Sequence, residues 1–306
     1  MTTGTQERRL AFLATALPPV AWVLAFFLAP LAIVWAYSFG ENQGLTGVDI
    51  SGTLANYVRA LQPLYLGIFI KSVFVAGLTT LLCLVIGFPV ALAIVFASER
   101  WRAWLLLLIM LPFWTNLLIR TYALMAVLRN EGYVNFTLAW LWDNASWFMT
   151  LVGLQPLGDF TALQLLYSNF AVVVGLIYVH LPFMVLPLYA ALDRLDKSLI
   201  EASLDLGAGH LRTLFSIVMP LALPGIISGI VITFVPALGA YLTPDLLGGP
   251  DSQMIANVIE RQFKRANDWP FGAALSFLLM YATFGAIALR AYLSRGKPAE
   301  SHGIKP

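Results

Sequence analysis

In a chain this poor in charge, the polar run from Asp193 to Pro220 is where chemistry could be done. Asp193, Arg194, Asp196 and Lys197 lead into Glu201-Ala202-Ser203, and Asp205, Gly207, His210 and Arg212 follow before Ile217-Val218-Met219-Pro220. No nucleophile stands beside a base here or elsewhere, and no two carboxylates fall at one depth, so bond-making chemistry is not expected. The run is suited to docking. Its spacing predicts two short helices, with Ser198 as N-cap of the first, Glu201 three residues on closing a capping box, and Gly207 supplying the left-handed turn that ends it. Ala202 and Ser203 are small enough for such a knob to seat closely in a partner's groove, and Glu201 offers that partner a charge.

A second set of residues could line a route for a solute. Trp114, Asn116, Tyr122, Tyr241 and Asp245 are polar or aromatic and stand at the ends of long apolar stretches. His180 and His210 have no second ligand at metal spacing, so no metal site is expected. No G-x-x-x-x-G-K-[ST] phosphate loop occurs; the one Gly-Lys pair, Gly296-Lys297, is followed by Pro298. The chain is therefore expected to be no enzyme and to bind no cofactor. Its single cysteine, Cys83, excludes an internal disulfide.

The elements that must position these residues follow from composition. Of 306 residues, 59% are hydrophobic and 11% charged, with a mean hydropathy of +0.80, which places the chain in a bilayer. A net charge of +2 from scattered basic residues gives no reason to expect a nucleic-acid partner. A crossing needs about 20 apolar residues. Six stretches qualify: Leu10 to Gly40, Ser72 to Ser98, Ala103 to Ile119 extended past Arg120 to Leu128, Phe160 to Leu192, Thr213 to Pro244, and Trp269 to Leu289. The first is too long for the apolar core of a cleaved signal peptide, so it is expected to be retained. With both termini cytoplasmic, the inner segments collect Arg100, Arg102, Arg194, Lys197 and Arg212 as well as the basic termini, in keeping with the positive-inside rule. The expected plan is an all-α integral membrane protein of six transmembrane helices, with tails at 1–10 and 294–306 and a membrane domain at 11–293. Its polar loop, 193–220, lies in the cytoplasm. Trp140, Trp142, Trp147 and Phe148 mark 129–159 as an external helix lying in the interface. Prolines recur within the spans, among them Pro89, Pro112, Pro182, Pro187 and Pro236, as expected of kinked membrane helices.

The pattern E-A-A, three positions, G, nine positions, I-x-L-P is the cytoplasmic EAA loop of bacterial ABC importer permeases. The run from Glu201 to Pro220 resembles it, departing at Ser203 for Ala and Met219 for Leu. Beyond the loop, Leu118-Ile119-Arg120-Thr121-Tyr122, the run Leu181 to Tyr189, Leu195 to Leu199, Phe234 to Gly239, Pro244 to Pro250 and Asn267 to Ala274 resemble the polyamine (spermidine/putrescine) importer permeases of the B/H type. The resemblance implies a type I ABC importer permease fold with a coupling-helix loop in a bacterial inner membrane. It implies that Glu201, Ala202, Ser203, Asp205 and Gly207 couple the chain to an ATPase. The implied partners are a second permease subunit, two ATPase subunits that bind the ATP and Mg, an external substrate-binding protein and membrane lipid. A permease for another small organic solute is the nearest alternative. A carrier that works alone is disfavoured, since the first, second, fifth and sixth spans hold no charge in their interiors.

Overall fold

The computed structural model describes residues 3–44, 47–155 and 157–294. All but the first residue of the expected tail 294–306 lies outside the described residues. Two compact units are distinguished, Met1–Leu66 with Val258–Pro306, and Gly67–Asn257.

The first unit opens with α1, an apolar span over Ala14–Tyr37. Helical backbone already begins at Thr3, so residues of the expected N-terminal tail belong to that helix. The chain then turns through a hairpin, β1 (Glu41–Asn42) and β2 (Val48–Asp49), with Glu41 opposite Asp49, and enters α2 (Ala55–Ala60). Turn polar groups must find partners. Asn56 Nδ2 donates to the carbonyls of Ser38 and Gly40 at 3.2 and 2.8 Å, and the Ser38 and Tyr57 hydroxyls lie 2.8 Å apart. Arg59 pairs with Asp268 at 2.7 Å while its guanidinium carbon sits 3.9 Å from the Phe271 ring centroid.

In the second unit the order is α3 (Pro63–Phe96), α4 (Glu99–Met110), α5 (Leu117–Leu128), α6 (Tyr133–Leu151), α7 (Asn169–Leu192), α8 (Lys197–Asp205), α9 (His210–Leu221), α10 (Leu223–Leu238) and α11 (Leu242–Leu247). After α11 come α12 (Ile255–Lys264) and α13 (Trp269–Ser294). Val75 clusters with Val172 and Leu176, Cys83 Sγ points at the Ile177 carbonyl, and Gly87 faces Met184, so α3 and α7 run parallel. Gly225 faces Ala191 whereas Gly229 faces Met184, so α10 runs antiparallel to α7. Met184 is fully buried where the three helices meet. A Cβ at residue 229 would stand 2.7 Å from its sulfur, and one at residue 87 would stand 3.2 Å from its Cγ. Glycine at both positions leaves room for Met184 where these helices approach closely.

Helices cover the expected stretches with three corrections, the first being that the fourth starts at Asn169 rather than Phe160. The stretch Ala103 to Leu128 is not one helix: a 3-10 turn, Leu111–Trp114, ends the first part, and the second leaves at 98°. Pro112 lacks the N–H a helix needs there. Asn116 then takes an extended backbone and accepts the Leu118 N–H at 2.8 Å, which starts α5 anew. The stretch Thr213 to Pro244 likewise bends by 69° between α9 and α10, with Pro220 and Pro224 on either side of the bend, and α11 is separate. Three helices are long and apolar enough to cross alone, two bent pairs raise the count to five, and α13 adds a shorter apolar helix, Trp269–Gly285; six crossings are compatible with this. Because α3 and α7 are parallel, an odd number of crossings separates them. The bent pair α4–α5 and α6 cannot both cross.

Candidate coupling loop and solute route

The loop after α7 is held from below. Leu195 and Ile200 pack on a core that includes Val95, Leu192 and Val218. Arg102 pairs with Asp193 at 2.8 Å and donates to the Val95 carbonyl at 2.8 Å, so the turn before α4 and the end of α7 share one end of the unit.

The first loop helix, α8, starts on a different cap from the one the sequence predicts. Asp196, not Ser198, is the N-cap: its carboxylate accepts the Ser198 N–H at 3.0 Å. Asp at this position satisfies an orphan donor and adds its charge to the positive end of the helix, which leaves Ser198 inside the first turn and Glu201 free of any capping box. The same bond, followed by one from the Ser198 hydroxyl, holds the Asp196 carboxyl below its ordinary range. The end of α8 is as expected. Gly207 sits at φ +82°, its N–H bonds the Leu204 carbonyl at 2.9 Å, and the Ala208 N–H bonds the Ser203 carbonyl at 3.1 Å. This is a Schellman ending, and positive φ is its requirement on residue 207.

With those ends fixed, the helical period decides which side chains face out. Ser198, Glu201, Ala202 and Asp205 lie three and four residues apart and are all exposed, whereas Ser203 is buried. Ser203 is therefore not part of the seat offered to a partner, contrary to expectation. Its hydroxyl lies 2.9 Å from that of Thr213, also buried, and ties α8 to α9. Leu206 was missed by sequence reasoning. It is 89% exposed at the tip of the loop, beside the two carboxylates of the outward face; an apolar residue next to a helix-ending glycine was its one signal. Along α9 a π-helical turn, Leu214–Val218, precedes the bend at Ala222.

The proposed route residues are only partly gathered. Trp114 is 76% exposed at the break before α5, and the Asn116 side chain is occupied as a cap. Arg120, the fourth residue of the new helix, donates to the Thr115 carbonyl at 2.9 Å, which gives one carbonyl at the break a partner. Tyr122 lines a basin of about 640 Å³ with Met125, Ala126, Arg129, Asn130, Glu131, Gln164, Leu166 and Tyr167. Trp114, Asn116, Tyr241 and Asp245 do not line it. The Tyr241 carbonyl accepts from Asn257 at 2.8 Å, and Asp245 is exposed in the first turn of α11, a helix packed on α5 and α7. His180 is buried in α7 with Nδ1 2.8 Å from the Leu176 carbonyl, and His210 is exposed at the start of α9. The basin borders the N-terminal end of α7 and the loop follows its C-terminal end, so the helix's 24 residues, about 36 Å, lie between them.

The chain matches, over residues 7–296, the family described as binding-protein-dependent transport system inner membrane component. It is 40% identical over 260 residues to the spermidine/putrescine transport system permease protein PotB of Escherichia coli, an alignment covering 85% of this chain and 89% of that one. To the protein of the same description in Haemophilus influenzae it is 37% identical over 257 residues, covering 84% of each. Among solved structures it is similar to a bacterial alginate ABC transporter in complex with an alginate pentasaccharide-bound periplasmic protein. The TM-score is 0.74 and the identity 17%, with 96% of this chain and 97% of that chain covered.

Proposed function

Since the chain belongs to the family of inner membrane components of binding-protein-dependent transport systems, we propose that it is the permease subunit of a polyamine importer, coupled to a separate ATPase through the outward face of α8. The observation that carries the coupling is that Glu201, Ala202 and Asp205 stand exposed on one face of a helix fixed at both ends and seated on the core. Motion of a partner gripping that face is delivered through Ser203 and Thr213 to α9, and through the π turn and the Ala222 bend to α10. The substrate reading rests on the identity to the spermidine/putrescine permeases. ATP and Mg then belong to two ATPase subunits, and a second permease and an external binding protein complete the importer. The loop lies in the cytoplasm with both termini, and the membrane domain spans about 11–293. Tyr122, Trp114, Asn116, Tyr241 and Asp245 flank the outer part of the route.

Uptake of radiolabelled spermidine and putrescine by cells expressing the complete system tests this. Transport of an anionic or neutral solute with no uptake of either polyamine would remove the substrate and leave the permease. For orientation, Ser146→Cys on a Cys83-free background is expected to react with a membrane-impermeant thiol reagent applied to spheroplasts. Ser216→Cys should react only after the membrane is opened, and the reverse pattern would overturn the topology.

A further inference from the structure

The basin at the N-terminal end of α7, away from the loop, holds an unused set of groups. Glu131 and Arg129 are both exposed on its rim, and among the described residues neither forms an ion pair. Tyr122 and Tyr167 are half exposed, at 55% and 57%, and Asn130 and Gln164 add two side-chain amides. Tyr167 has φ 58°, a left-handed conformation that is unusual for a bulky aromatic residue. It is held there by both neighbours in space. Ser168 must cap α7, its Oγ accepting the Ala171 N–H at 3.2 Å. Gly249 passes so close that a Cβ there would stand 2.5 Å from the Tyr167 carbonyl oxygen. Strain kept in this way marks positions where the placement of a side chain matters, and here it keeps an aromatic ring on the lining of the cavity rather than in the core.

We propose that this basin binds an alkylammonium group, with Glu131 as counter-ion, Tyr122 and Tyr167 as cation–π faces and the amides of Asn130 and Gln164 as acceptors, and that it receives the leading ammonium of a polyamine entering the route. The last clause rests on the substrate reading given above. A volume of about 640 Å³ is in the range of small-molecule sites. Aromatic faces hold an ammonium without fixing its orientation, which suits a flexible chain passing end first. Arg129 offsets the charge of Glu131, so the basin takes one ammonium without retaining the rest of the polycation.

The test uses the complete complex in nanodiscs, with the binding protein omitted, titrated calorimetrically with spermidine and with tetramethylammonium. Uptake of labelled spermidine is measured in parallel. Glu131→Gln should weaken spermidine binding about tenfold, the effect of losing one charge-assisted contact. Tyr167→Asn, which accepts positive φ, should weaken tetramethylammonium most. Arg129→Gln should tighten both. Affinity unchanged by both Glu131→Gln and Tyr167→Asn overturns the site, whatever the uptake result. Spermidine binding that depends on Glu131, in a complex that imports no polyamine, upholds the site and refutes the substrate reading.

Discussion

The two ends of the Gly67–Asn257 unit differ in how their polar groups are partnered. At the loop end Asp193 has Arg102, the first free N–H of α8 has Asp196, the last free carbonyls have Gly207 and Ala208, and Ser203 has Thr213. At the other end a span is broken at Thr115–Asn116, Trp114 is exposed, Arg129 and Glu131 form no ion pair among the described residues, and Tyr167 is strained. On the proposed coupling role, the loop end must not yield, and satisfied bonds are what prevent yielding. On the proposed route, the other end must exchange partners with a solute, and unspent groups allow that.

If the contrast holds, damage at the loop end should be severe and damage at the other end graded. The largest effect is expected from Gly207→Val and Glu201→Arg in the reconstituted importer. Valine at φ +82° is strained by about 1–3 kcal/mol, and the arginine puts the wrong charge on the docking face. Each should lower substrate-stimulated ATP hydrolysis by about tenfold or more with insertion intact, and stimulation at the wild-type level would break the comparison. Next is Ser203→Ala, which leaves the Thr213 hydroxyl buried without its partner at a cost of about 1–3 kcal/mol. Thr213→Val added to it should recover most of the loss in thermal unfolding, whereas additive losses would show that the pair does not tie the helices. At the other end, Trp114→Ala and Asp245→Asn should slow polyamine uptake by only about two- to fivefold with the complex assembled. Abolished uptake there would mean that this end too is rigidly specified.

The smallest effect concerns pH. Asp196 is held below its ordinary value of 3.8, first by the Ser198 N–H. Its cap is therefore complete above that value and is lost as pH falls through the lower folded value. The protection of α8 amides against hydrogen exchange, corrected for the intrinsic pH dependence of exchange, should be flat from pH 8 to about 5 and fall under stronger acid. Asp196→Asn keeps the bond and should remove that fall; an unchanged fall would place the acid sensitivity elsewhere.

Legibility divided along the same line. Gly207 was readable because a left-handed ending has one preferred residue, and the apolar runs were readable because a bilayer demands about 20 of them. The break at Asn116 was not, since a run of apolar residues says nothing of a single side chain that takes over the backbone's hydrogen bond, although Pro112 four residues earlier was the available sign. The cap at Ser198 was the wrong residue: the helix starts two positions earlier, where the extended backbone of Asp196 lets its carboxylate take the Ser198 N–H. Ser203 looked like a small residue on a docking face because its burial depends on Thr213, ten residues away, and no local pattern carries that pairing. The basin was least legible of all. It is assembled from two stretches of chain, 122–131 and 164–167, and only Tyr122 stood out among its residues.

Met184, lodged between Gly87 and Gly229, has a consequence for descent. A methyl group at either glycine position presses on this side chain, so the thioether must shift to admit it, and a smaller residue at 184 alone would open a void. Change at these three sites is thus coupled: alanine at 229 and a reshaped side chain at 184 compensate each other, and either step alone carries a cost. Introduced together, Gly229→Ala and Met184→Leu should be tolerated better than Gly229→Ala alone.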